Sequence, residues 1–130
     1  MTPKDQKFLC TTKLNGIATD VYTIKNESGG YFYFCPEPSA LPRIKIGLDH
    51  DEWWRCLAVA MHEAQEAVAA MINLRYRSAD NDYSGENGLY TFHMDHGQFA
   101  EMNAQAAEFL AIVVPKLAAA WDRLHSRSKP

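Results

Sequence analysis

Cysteine is scarce in this chain: Cys10, Cys35 and Cys56 are odd in number, irregularly spaced and without a zinc-knuckle pair. That excludes a disulfide framework and a cysteine-rich metal knuckle, and it fits a reducing compartment. Charge of one sign is lacking too. Thirteen Lys and Arg stand against 16 Asp and Glu, a formal net charge of −3. The basic residues are scattered, with one local group at Arg123, Arg127 and Lys129, so no nucleic-acid partner is expected. Met1 to Lys7 lacks the apolar run of a signal peptide. The longest greasy segment contains His62, Glu63 and Glu66, which argues against a membrane span. Internal repeats and a second domain are also missing. The expectation is a soluble, cytoplasmic, single domain, and 130 residues suffice for a hydrophobic core of its own.

The first 48 residues read mainly as strands. Phe8 to Lys13 and Ile17 to Ile24 are rich in β-branched residues and flank Asn15-Gly16, a strong hairpin signal. A second turn, Asn26 to Gly30, leads into Tyr31-Phe32-Tyr33-Phe34-Cys35, expected as a buried strand. Pro36, Pro38 and Pro42 interrupt regular structure, and Ile44-Lys45-Ile46 reads as a short strand at the sheet edge. Residues 49–75 hold a long helix running from roughly residue 52 to residue 74, its start signalled by Asp49-His50-Asp51-Glu52, close to a capping box. Its apolar stripe is Trp54, Leu57, Met61, Val68 and Ile72. Residues 76–95 contain most of a polar loop, Arg75 to Gly88, and a brief strand, Leu89 to Phe92. Residues 96–126 form a second long helix, kinked or split at Pro115. The fold expected is α+β: a small antiparallel sheet packed against two long helices.

What the chain does have is His62-Glu63-Ala64-Gln65-Glu66 inside the apolar run Trp53 to Leu74. Residues four apart lie one above the other on a helix, so His62 and Glu66 can grip one metal ion. Glu63 points to a neighbouring side, suited to handling protons. A third ligand must come from elsewhere, and Phe92-His93-Met94-Asp95-His96 offers it. His96, at the helix start with Phe99 and Met102 beneath it, is preferred; His93 is the reserve. Two histidines and one carboxylate leave Zn²⁺ with a net charge of about +1, which acidifies bound water. Glu63 could then act as general base.

The segment Leu57-Ala58-Val59-Ala60-Met61-His62-Glu63-x-x-Glu66 resembles the active-site helix of the zincin metallopeptidases, whose motif is His-Glu-x-x-His. The layout of small sheet, active-site helix, connection and final helix is similar to a minimal zincin core. Small phage and prophage proteins with a His-Glu-x-x-Glu-Ala helix, followed by a histidine opening an apolar helix, are similar as well. They match His62 to Ala67 and His96-Gly97-Gln98-Phe99, within a resemblance covering roughly residues 42 to 114. It implies His62, Glu66 and His96 as ligands, Glu63 as catalytic base and a zinc hydrolase acting on peptides or amides. Glu66 departs from the motif's second histidine.

Two rival functions fit the same residues. One is a phage-type accessory or inhibitor protein in which the metal is structural or vestigial. The other is an all-helical Mg²⁺-dependent nucleotide pyrophosphatase using Glu63 and Glu66, which the strands and histidines argue against. The plain alternative to a site is a solvated helix face, with an ion pair to Arg55. Cys56 reads as a core thiol, Trp53, Trp54 and Trp121 as packing residues, and Glu101 and Glu108 as solvated, Glu101 with a secondary option of supporting a histidine. His50 belongs to the helix cap, and His125 suits a helix C-terminus. Tyr83 and Tyr90 flank the long loop and could stabilise an oxyanion. The stretch Phe109 to Val114 could face a second subunit, so a homo-oligomer stays open.

Overall fold

Asn15 and Gly16 carry positive φ values of 52° and 77°, the conformation a two-residue type I′ hairpin turn needs. In the computed structural model, which describes residues 5–34, 41–72, 75–77 and 90–126, this turn joins β1 (Gln6–Leu14) to β2 (Ile17–Ile24). A bulge between Phe8 and Cys10 interrupts their ladder once. β3 (Gly30–Tyr33) is antiparallel to β4 (Arg43–Gly47), and β4 runs parallel to β2.

The strand order is therefore β1-β2-β4-β3, a mixed sheet where a purely antiparallel one was expected. β4 lies inside the sheet, not at its edge, because it inserts between β2 and β3. β3 takes the edge instead. Its Tyr31 and Tyr33 are exposed, so the expected buried strand is buried on one side only. The two-residue alternation explains it: Val21, Ile44 and Phe32 line up across the core face, whereas Tyr22, Lys45 and Tyr31 line up on the outer one.

Gly47 closes β4 under the turn after β2. A Cβ added there would strike the carbonyl group of Glu27, and Gly47 N itself donates to Gly29 O at 2.8 Å. Gly47→Ala is expected to cost about 1–3 kcal/mol, as overpacking does, read as a lower urea midpoint.

α1 (Trp53–Met71) begins close to the expected residue 52, with Asp49 outside it. Glu52 is the N-cap in extended conformation and makes no side-chain cap bond, so the anticipated capping box does not form. The buried face is also different from the stripe of large residues. Cys56, Ala60, Glu63, Ala64, Ala67 and Val68 go inward, while Trp54 and Met61 are exposed. Small side chains let the helix lie close to the sheet. Trp54 instead carries the Arg55 guanidinium over its ring at 4.7 Å.

Cys56 is the core thiol expected, fully buried and donating to Gly47 O at 3.7 Å. Burial raises its pKa from the ordinary 9.0 to about 11. Because the folded value is the higher one, the associated stability is present below pH 9 and is lost as pH climbs from 9 towards 11. In native protein at pH 8, alkylation of Cys56 should be slower than in urea-unfolded chain by at least an order of magnitude, as read by mass spectrometry. Cys35 lies outside the described residues.

β5 (Arg75–Arg77) and β6 (Tyr90–Phe92) pair antiparallel as a small separate ribbon, so the loop reading gives way to strand at Arg75–Arg77 and the brief strand is present. Residues 78–89, including Tyr83, lie outside the described residues. α2 (His96–Ser126) is one helix, unsplit at Pro115. Its start is fixed by a reciprocal pair: Gln98 N donates to Asp95 Oδ1 at 2.8 Å, and Asp95 N donates to Gln98 Oε1 at 2.9 Å. That is a capping box, and it anchors the helix start without help from a metal.

Both helices cover the same face of the sheet, α1 against β3 and β4 and α2 against β1 and β2. They run antiparallel. Trp53 meets Trp121 at 6.1 Å between ring centres near one end, and Gln65 Nε2 donates to Asn103 Oδ1 at 2.9 Å further along. Trp121 Nε1 also donates to His50 O, at 3.1 Å. Phe109, Val113 and Leu117 bring α2 into the core.

Candidate metal centre

The residues of interest sit on the middle turns of α1. Successive residues are about 100° apart around a helix. Glu63 faces β3, where a Cβ at Gly30 would lie 2.6 Å from Glu63 Cγ; only a glycine leaves room for this carboxylate stem. Gln65 faces α2 through Asn103. His62 and Glu66 occupy the arc between those two partners, open to solvent.

His62 Nε2 lies 2.9 Å from Glu66 Oε2 and 3.7 Å from Glu63 Oε2. Donor atoms of the three residues all fall within 4.8 Å of one another. Zinc–ligand bonds of about 2.0–2.1 Å place neighbouring tetrahedral donors about 3.3 Å apart, so both separations suit one ion. Exposure is graded across the group: the side chain of His62 is 67% exposed, Glu66 21% and Glu63 10%. A carboxylate as covered as Glu63 is costly unless partnered, and His62 stands beside it.

The expected third ligand is not in this group. His96 and His93 are both exposed, and neither contributes a donor atom to the cluster. The helix register gives the reason. His96 precedes Asn103 by seven residues, about 10 Å along the axis, so it stands well beyond the level of Gln65. Of its supposed packing residues, Met102 is buried but Phe99 is exposed. The third carboxylate or imidazole within reach of the pair is that of Glu63, which the sequence assigns to a neighbouring side as a base. Its i, i+3 spacing to Glu66 was the available signal.

With Glu63 included, the donors carry two carboxylates and one imidazole, and a divalent ion would be neutralised outright. Its hold on a proton of bound water would then be weaker than in a two-histidine set. Arg55 is occupied by the Trp54 ring. Glu101 accepts from Gln105 Nε2 at 2.9 Å, and both Glu101 and Glu108 are exposed, as expected.

The cluster is an open surface site. A cavity of about 570 Å³ lies elsewhere, between the first residues of β1 and the end of α2, with Lys7, Leu9, Lys25, Leu48 and Arg123 among its walls. No protein-family model, curated protein or solved structure matches this chain.

Proposed function

We propose that this chain is a zinc-dependent hydrolase of the single-ion kind, acting on a peptide or amide bond. The observation that carries it is the 2.9 Å approach of His62 Nε2 to Glu66 Oε2 beside a third, largely covered carboxylate. Zn²⁺ bound there would polarise a carbonyl and acidify water. His62 and Glu66 would hold the ion through a ring nitrogen and a carboxylate oxygen. Glu63, whose stem lies against Gly30, would take a proton from water as the water oxygen bonds the carbonyl carbon, and return it to the nitrogen as the carbon–nitrogen bond breaks. The open arc of α1 admits a small substrate or an exposed segment of a larger one. The free thiols Cys10 and Cys56 support a reducing, cytoplasmic setting.

A second reading, an accessory or inhibitor protein of the phage type with a structural metal, is favoured by one observation. Glu63 lies within the donor group, and as a ligand it could not serve as base.

The test is to load purified chain with zinc, measure metal by elemental analysis, and assay amide and peptide substrates. The hydrolase reading expects about one zinc per chain and turnover that a chelator stops. Zinc without turnover supports the second reading with a structural metal; a stable chain that takes up no zinc overturns the hydrolase and favours the second reading with a vestigial site.

A further inference from the structure

Among the described residues, more than half of those in α2 are exposed. Although six of its residues enter the core, only 22% of its most apolar 18-residue stretch is buried. By length and composition the same helix could cross a bilayer. The flank of α2 beside β1, where Arg123 also walls the cavity and Lys116 acts on the Cys10 thiol, displays an ordered arrangement of charge. Ile112, 49% exposed, stands at the centre. Glu108 and Lys116 lie four residues to either side of it, and Glu101 and Arg123 lie eleven to either side. At about 100° per residue all four project within about 40° of Ile112, forming one straight stripe about 33 Å long. All four are exposed, and among the described residues none forms an ion pair within 4 Å.

The stripe is acidic before Ile112 and basic after it, with equal spacing on both sides. A two-fold axis through Ile112 would turn one copy of α2 antiparallel on another. In that arrangement residue i meets j and j meets i. Glu108 would then face Lys116 of the second copy, Glu101 would face Arg123, and the two Ile112 side chains would touch. The helix dipole explains only Arg123, which is in the last turn; no acid occupies the first turn, and Glu108 and Lys116 are mid-helix. A bilayer would not accept the four charges.

We propose that α2 is the contact surface of a symmetric antiparallel homodimer, paired through Glu101–Arg123 and Glu108–Lys116 about Ile112. The proposal is independent of the metal site. One helix stripe is a small interface, so the dimer is concentration-dependent and weakened by salt.

Analytical ultracentrifugation of the full chain tests it with two charge-reversed variants, E101K/E108K and K116E/R123E. Wild type should dimerise at high protein concentration, with the association constant falling at least tenfold between low and high salt. Each variant alone should stay monomeric, since its stripes repel. Mixed in equal amounts, an all-basic and an all-acidic stripe should form a heterodimer, which also shows that both variants are folded. Overturning results are a wild type that is monomeric throughout, variants that dimerise as well as wild type, or a mixture that stays monomeric. Wild type that floats with neutral-lipid vesicles and does not dimerise in water would assign the face to a bilayer instead.

Discussion

Glu63→Gln is expected to lower hydrolysis by about 10² or more while leaving the zinc content unchanged. Gln has the size and shape of Glu, so the stem should still fit beside Gly30 and Val59. What it loses is the ability to accept a proton. Elemental analysis after dialysis supplies the second readout. If the Gln variant loses its zinc along with its activity, Glu63 is a ligand, and the structural-metal reading stands in place of the catalytic one.

Phe109→Ala carries the largest expected loss of stability. Phe109 is the largest of the fully buried side chains. It fixes α2 in the core shared with α1 and the sheet. Truncating such a residue removes its transfer free energy and leaves a cavity, about 3–5 kcal/mol together. A domain of this size holds roughly 6–20 kcal/mol in total, so the midpoint of urea unfolding should fall markedly. The α1 cluster takes no donor from α2, and zinc affinity in the still-folded fraction should therefore match wild type. A loss under about 1 kcal/mol would mean that α2 does not pack as described.

How far these features could be read from the chain depended on how local their causes are. Asn15-Gly16 imposes its own backbone conformation, and the hairpin follows from two residues. The interior place of β4 follows from a parallel pairing with β2 across an intervening strand, which no neighbouring residue encodes. The inward side of α1 was misread because large side chains were given more weight than small ones. Ala60, Ala64 and Ala67 allow close approach to the sheet, and Trp54 and Met61 are left outside.

The candidate site divides in the same way. The pairing of His62 with Glu66 is a property of one helix and was legible as such. Two further facts depended on distant contacts. Glu63 joins the group because Gly30 of β3 leaves space for it, and Gly29-Gly30 before an aromatic run had suggested only a turn. His96 stays apart because Gln65 and Asn103 set how far α2 is offset along α1. Asp95 and Gln98, three residues apart, are a capping-box signal that the sequence reading passed over in favour of a metal at His96.

A zinc-loaded crystal examined by anomalous scattering at the zinc edge tests the metal assignment most directly. The account predicts one peak on α1, about 2.0–2.2 Å from both His62 Nε2 and Glu66 Oε2. A peak elsewhere on the chain, or none beside an intact His62–Glu66 ion pair, would contradict it.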